Sequence, residues 1–112
     1  MVGWGMRVKA PADCVDMADL RREIDRIDAA LVALLAERSR YVDRVVEVKT
    51  AAGIPALVPS RVEEVAQRVR RLAEQEGIDP GFVERLWRMM MDHFIAYEEQ
   101  RLPHGQSSGR ED

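Results

Sequence analysis

MADLRREIDRIDAALVALLAERSRYVDRVVEVKTAA, residues 17–52, decides what this chain can be. In sevens, its inward positions read Leu20, Ile24, Ile27, Leu31, Leu34, Arg38, Tyr41, Val45 and Val48. The steps alternate four and three throughout, which predicts one continuous helix with a face laid against a partner. Asp16 caps its start, and Asp19 adds negative charge to the first turn. Gly53 ends it as a glycine just past the helix, with Pro55 beyond. Arg38 stands where the pattern asks for Leu or Val. A guanidinium buried without an anion costs several kcal/mol, so a carboxylate is expected there, from the chain or from a ligand.

The length of this helix carries its own consequence. Some 35 residues rise about 52 Å, whereas a compact domain of 112 residues is only ~34 Å across. A helix whose apolar stripe runs to both ends would overhang its own domain, so a second copy must cover it. An obligate homodimer is the expectation. The same geometry sorts the cations. Lys49, eleven residues after Arg38, returns to within about 20° of the same face at ~16 Å, so the two side chains can grip a small dianion between them. Arg21 lies ~25 Å before Arg38 and ~100° round the helix. It can join such a site only from a second copy.

The rest of the chain predicts an all-α, three-helix protomer. Residues 1–15 show no period and read as an arm. After a short connection over residues 56–59, Ser60 with Glu63 reads as a capping box that opens the second helix. Val62, Val65, Val69 and Leu72 form its apolar face, and Gly77 ends it. The third start is the clearest: Asp79 as cap, Pro80 at the first helical position and Glu84 in the first turn. Val83, Leu86, Trp87, Met90, Met91, Phe94, Ile95 and Tyr97 carry that helix to about Leu102, where Pro103 breaks it. The helical domain is thus expected over residues 16–102, and residues 103–112 read as a disordered tail. No strand signal, internal repeat or glycine-rich phosphate loop is present.

Composition removes several function classes. Lys and Arg total 17 against 20 Asp and Glu, a net charge of −3. That balance argues against a nucleic-acid surface and against a polybasic membrane patch. Cys14 is the single cysteine, which excludes an intrachain disulfide and a thiolate metal cluster. His93 and His104 do not have zinc spacing. Neither a signal peptide nor a membrane span is legible, so the expectation is a cytoplasmic protein without metal or cofactor.

Glu98 repeats the oddity of Arg38. It follows Phe94 by four residues, Met91 by seven and Trp87 by eleven, on the edge of an apolar stripe. A carboxyl there either answers a cation of the first helix or holds a proton and donates it in a hydrogen bond. Each residue of the set also has a plain structural reading. Arg38 can pair internally or snorkel, Lys49 can favour a helix dipole, and Arg21 can belong to a solvated charged face. Glu98 can sit in a fraying helix end. Arg61 is a cation in the first turn of the second helix, where the dipole disfavours it. On spacing alone the structural reading of Arg38 is favoured, but all of these explanations are needed together to account for the set.

The order of elements and motifs resembles the all-helical chorismate mutase family over residues 11–101. The resemblance is carried by L-R-R-E-I-D-R-I-D from Leu20, A-L-L-A-E-R ending at Arg38 and V-E-V-K ending at Lys49. It implies an intertwined homodimer with two sites, each completed by the partner's first helix. By position, Arg21 would be the arginine donated across the dimer, and Arg38 would hold a substrate carboxylate. Lys49 would contact a carboxylate and the ether oxygen, Arg61 matches an arginine that begins the second helix, and Glu98 stands where bacterial members usually have Gln facing that oxygen. Val62 departs from the pattern, since typical mutases carry a Glu there for the C4 hydroxyl of chorismate. The lead-in P-A-D-C-V-D-M-A-D resembles the isochorismate-pyruvate lyase branch, which also has an apolar residue at that place. Chorismate mutase, giving prephenate, is the first expectation and the lyase, giving salicylate and pyruvate, the second. A helical dimer that binds a carboxylate metabolite without turnover is a third, from another class.

Overall fold

The computed structural model describes residues 8–103. A 3-10 turn, Pro11–Asp13, precedes three helices: α1 (Met17–Ala52), α2 (Pro59–Glu76) and α3 (Pro80–Arg101). The all-helical class and the very long first helix match the expectation, and among the described residues there is no strand. The tail beyond Pro103, read as disordered, lies outside the described residues, as do the first seven residues of the arm.

The chain divides after Arg40 into two units. In the first, residues 8–40, the only buried residue among those described is Asp19, at 6% exposure. The cap assigned to Asp16 is present: the Asp19 N–H donates to Asp16 Oδ1 at 2.9 Å. Asp19 reciprocates toward the arm, its Oδ2 accepting from Val15 N–H and from Lys9 Nζ, both at 3.0 Å. Its Oδ1 takes Arg22 Nη1 at 3.1 Å. The sequence reading gave Asp19 only a dipole role, because a partner ten residues back in an aperiodic segment has no local signature. The apolar stripe, by contrast, is open among the described residues: Leu20, Ile24, Ile27, Leu31 and Leu34 are all exposed, Leu34 at 59%.

In the second unit, residues 41–103, α2 and α3 pack on each other around Val65, Ala66, Val69 and Met91. Val62, Val83 and Trp87 pad that core. Burying such aliphatic side chains contributes roughly 1.5–3 kcal/mol each. A network of charges bridges the same two helices: Arg88 binds Glu63 and Glu84, and Arg70 binds Glu84 at 2.8 Å. Hydrogen bonds from Arg88 hold both carboxyls below the usual carboxylate range.

The start of α2 corrects the sequence reading. Ser60 is not the cap, and there is no capping box; α2 begins at Pro59, after an extended Val58 with no side-chain cap bond. Proline suits the first helical position because its φ is preset and it has no N–H to leave unpaired. It also forces Val58 into extended backbone. Glu63 is spent on Arg88 instead. At α3 the cap and the proline are as expected, Asp79 accepting from Gly81 N–H at 2.9 Å with Pro80 at the first position, but Glu84 lies beyond the first turn and answers Arg70 and Arg88 instead.

Candidate active site

Lys49 lies in the last turn of α1. Gly53 follows at φ 70°, a left-handed conformation open to glycine at no steric cost. The chain reverses there, and Ile54 N–H closes on the Lys49 carbonyl at 3.0 Å. The reversal brings the buried Ala56 back, and its carbonyl accepts from Lys49 Nζ at 2.8 Å. One bend therefore satisfies both ends of Lys49.

The second partner of that ammonium is Glu98. Lys49 Nζ donates to Glu98 Oε1 at 2.8 Å, with the side chains only 16% and 10% exposed. Glu98 is held in the last turn of α3, where Leu102 N–H caps its carbonyl at 2.8 Å and the Leu102 side chain is buried. The reading of Glu98 as a solvated, fraying helix end is thereby excluded. Beside it, the Tyr97 hydroxyl donates to Asp43 Oδ1 of α1. Arg101 stacks over the Tyr97 ring at 3.5 Å and donates to the Tyr97 carbonyl at 3.0 Å.

This arrangement has a definite chemical capacity. An ammonium carries three donors, and two are used by Ala56 and Glu98, so one remains for an oxygen that gains negative charge. A short, charge-assisted pair in a poorly solvated setting holds that donor in place without reorganisation. The five expected residues are distributed as follows. Lys49 and Glu98 are in direct contact. Arg61, in the first turn of α2, is exposed and reaches Glu64 Oε1 at 3.2 Å. Arg38 is half-buried and Arg21 exposed, both on the part of α1 that belongs to the first unit. Sequence reasoning missed the Ala56 carbonyl and Asp43. A backbone carbonyl has no residue signature, although the glycine at 53 marks where the chain must turn back.

The family model described as chorismate mutase type II matches residues 20–99. The chain belongs to that family. The match starts one residue before Arg21, ends one after Glu98, and so spans all five candidate residues. Among curated relatives, a chorismate mutase of Methanocaldococcus jannaschii is 29% identical over 84% of this chain and 95% of its own length. An isochorismate pyruvate lyase of Pseudomonas aeruginosa is 40% identical over 80% of this chain and 87% of its own. A 4-amino-4-deoxychorismate mutase of Streptomyces pristinaespiralis is 30% identical over 85% of this chain and 74% of its own. Among the described residues, no helix is long and apolar enough to cross a membrane.

Proposed function

We propose that this member of the family is a chorismate mutase. It converts chorismate to prephenate by a cofactor-free pericyclic rearrangement, in two sites shared between two copies of the chain. The observation that carries the reading is the Lys49–Glu98 pair, two ionisable groups joined at 2.8 Å in a largely buried setting within a matched chorismate mutase sequence. Arg38 and Arg21 of the partner subunit take the substrate's carboxylates and hold the reactive diaxial conformer, an orientation effect. Arg61, in the first turn of α2, is assigned to substrate binding as well. As the C–O bond breaks, negative charge grows on the ether oxygen, and the remaining Lys49 donor meets it. Glu98 holds the Lys49 ammonium at 2.8 Å and so aims that donor. An acceleration of ~10⁶ requires about 8 kcal/mol, within reach of orientation together with that charge-assisted bond.

The obligate homodimer is part of the proposal. Its support is the α1 stripe, whose apolar residues are exposed from Leu20 at 37% to Tyr41 at 68%. Such a continuous face needs cover in water. We assign the enzyme to the cytoplasm, where a lone thiol such as Cys14 stays reduced.

The lyase reading has two supports: Val62 is apolar and pads the α2–α3 core, and the lyase relative shares 40% identity. Purified protein is therefore mixed with chorismate and, separately, with isochorismate, following prephenate, salicylate and pyruvate. Prephenate from chorismate at the higher kcat/KM supports the mutase. Salicylate as the dominant product refutes it in favour of the lyase, and tight binding without either product leaves a carboxylate-binding dimer.

A further inference from the structure

We propose that Asp19 is a positioning residue of the shared site: it locks the first turns of α1, and with them Arg21, in the place from which Arg21 serves the other copy. The inference rests on the shared-site reading above. Its starting point is that Asp19 is a buried charge for which the chemistry has no use. It is the one buried residue among those described in the first unit, and its carboxylate gathers donors from three directions. Lys9 and the Val15 N–H reach it from the arm, and Arg22 from the next turn, all at 3.0–3.1 Å. Its own N–H is held by Asp16 at 2.9 Å.

Leu20 and Ile24 are exposed among the described residues, so polar contacts tie residues 8–16 to α1: the Asp19 hub, and a hydrogen bond from the Lys9 backbone N–H to the Glu23 carboxylate. Helix ends without such ties fray. Arg21 is the fifth residue of α1, only just inside the segment that frays. Each residue of unwinding turns the following side-chain direction by about 100°. A guanidinium that must meet a carboxylate on another chain cannot tolerate that. Loss of the hub is therefore expected to misdirect Arg21 while leaving Lys49 and Glu98, near the far end of α1 and on α3, as they were.

Mixed dimers, made by co-expressing differently tagged chains, test this directly. Asp19→Ala in both copies is expected to lower kcat/KM roughly tenfold with dimerisation and helix content retained. Asp19→Asn, which keeps an acceptor for Val15, lies between it and wild type. Pairing Asp19→Ala with Lys49→Ala leaves one site with an intact Lys49 and a well-held Arg21, so about half the wild-type rate returns. Pairing Asp19→Ala with Arg21→Ala gives every site either a loose Arg21 or none, so the rate stays near about one twentieth. If Asp19 served the site of its own chain, the two pairings would exchange values, and that result overturns the inference. So does wild-type activity in Asp19→Ala.

The Arg21→Ala/Lys49→Ala pairing separates the levels. No recovery there refutes the shared site, and the inference falls with it. If wild type turns over neither substrate, the proposed function has failed, and amide exchange at residues 20–23 decides instead. Faster exchange in Asp19→Ala upholds the anchoring of Arg21, and unchanged exchange ends it.

Discussion

Lys49→Met separates what the Lys49–Glu98 pair does for stability from what it does for chemistry. The substitution keeps an unbranched chain of similar length and removes the ammonium. Glu98, with a side chain 10% exposed, then loses its donor at 2.8 Å, and the carbonyl of Ala56, itself 3% exposed, loses its own. Stripping one partner from a buried pair costs about 3–5 kcal/mol, because the charge left behind is neither solvated nor compensated. The 16% exposure of Lys49 lets some water in, so the low end, about 3 kcal/mol, is the expected loss. For a domain of this size that corresponds to a Tm lowered by roughly 12–24 °C. Lys49→Met/Glu98→Leu removes both charges and is expected to return most of that stability, since an apolar replacement of a buried pair is often neutral. Activity must not follow. Both variants lack the donor to the ether oxygen, so each should lose at least about 10²-fold in kcat. The assay is urea unfolding at one fixed protomer concentration, alongside prephenate formation. A single variant as stable as the double one would show the pair to be solvated, and recovered turnover in the double variant would remove Lys49 from the chemistry.

Leu31→Asp, in the middle of the exposed stripe of α1, should leave the chain unable to form a folded dimer; sedimentation showing a folded wild-type monomer at low micromolar concentration would refute the proposed assembly. Glu98→Gln keeps an acceptor for Lys49 Nζ and should retain most prephenate formation, whereas Glu98→Ala, which keeps none, should lose at least about tenfold in kcat. Equal rates in the two variants would take Glu98 out of the reaction. The Asp19 carboxyl is lowered to about 2, first by the Val15 N–H and then by Lys9. Because the native value is depressed, its contribution is complete above the ordinary aspartate range, near 3.9, and is lost as pH falls through about 2. The Val15 amide shift should therefore titrate with a midpoint near the lower value; a midpoint near the ordinary one would mean that Asp19 does not hold the arm.

The sequence alone determined the parts of this protein that obey short-range rules. Asp16 before α1, Gly53 after it, and Asp79–Pro80 before α3 are legible because a cap acts within three or four residues of itself. The α1 stripe is legible because a helix repeats, and its residues from Leu20 to Leu34 are exposed in the single chain. Arg38 stands out as the cation that interrupts that repeat. Where the short-range rule met a competitor, it failed: Ser60 and Glu63 have capping-box spacing, yet Pro59 starts α2 and Arg88 on another helix claims Glu63. Tertiary structure also decided that Glu98 faces Lys49, that the Ala56 carbonyl takes a second donor of that ammonium, and that Lys9 in an aperiodic segment finds Asp19. None of these pairings is periodic, and a charge takes whichever partner packing brings within about 3 Å, because leaving it alone in a poorly solvated place costs more than any local preference can return.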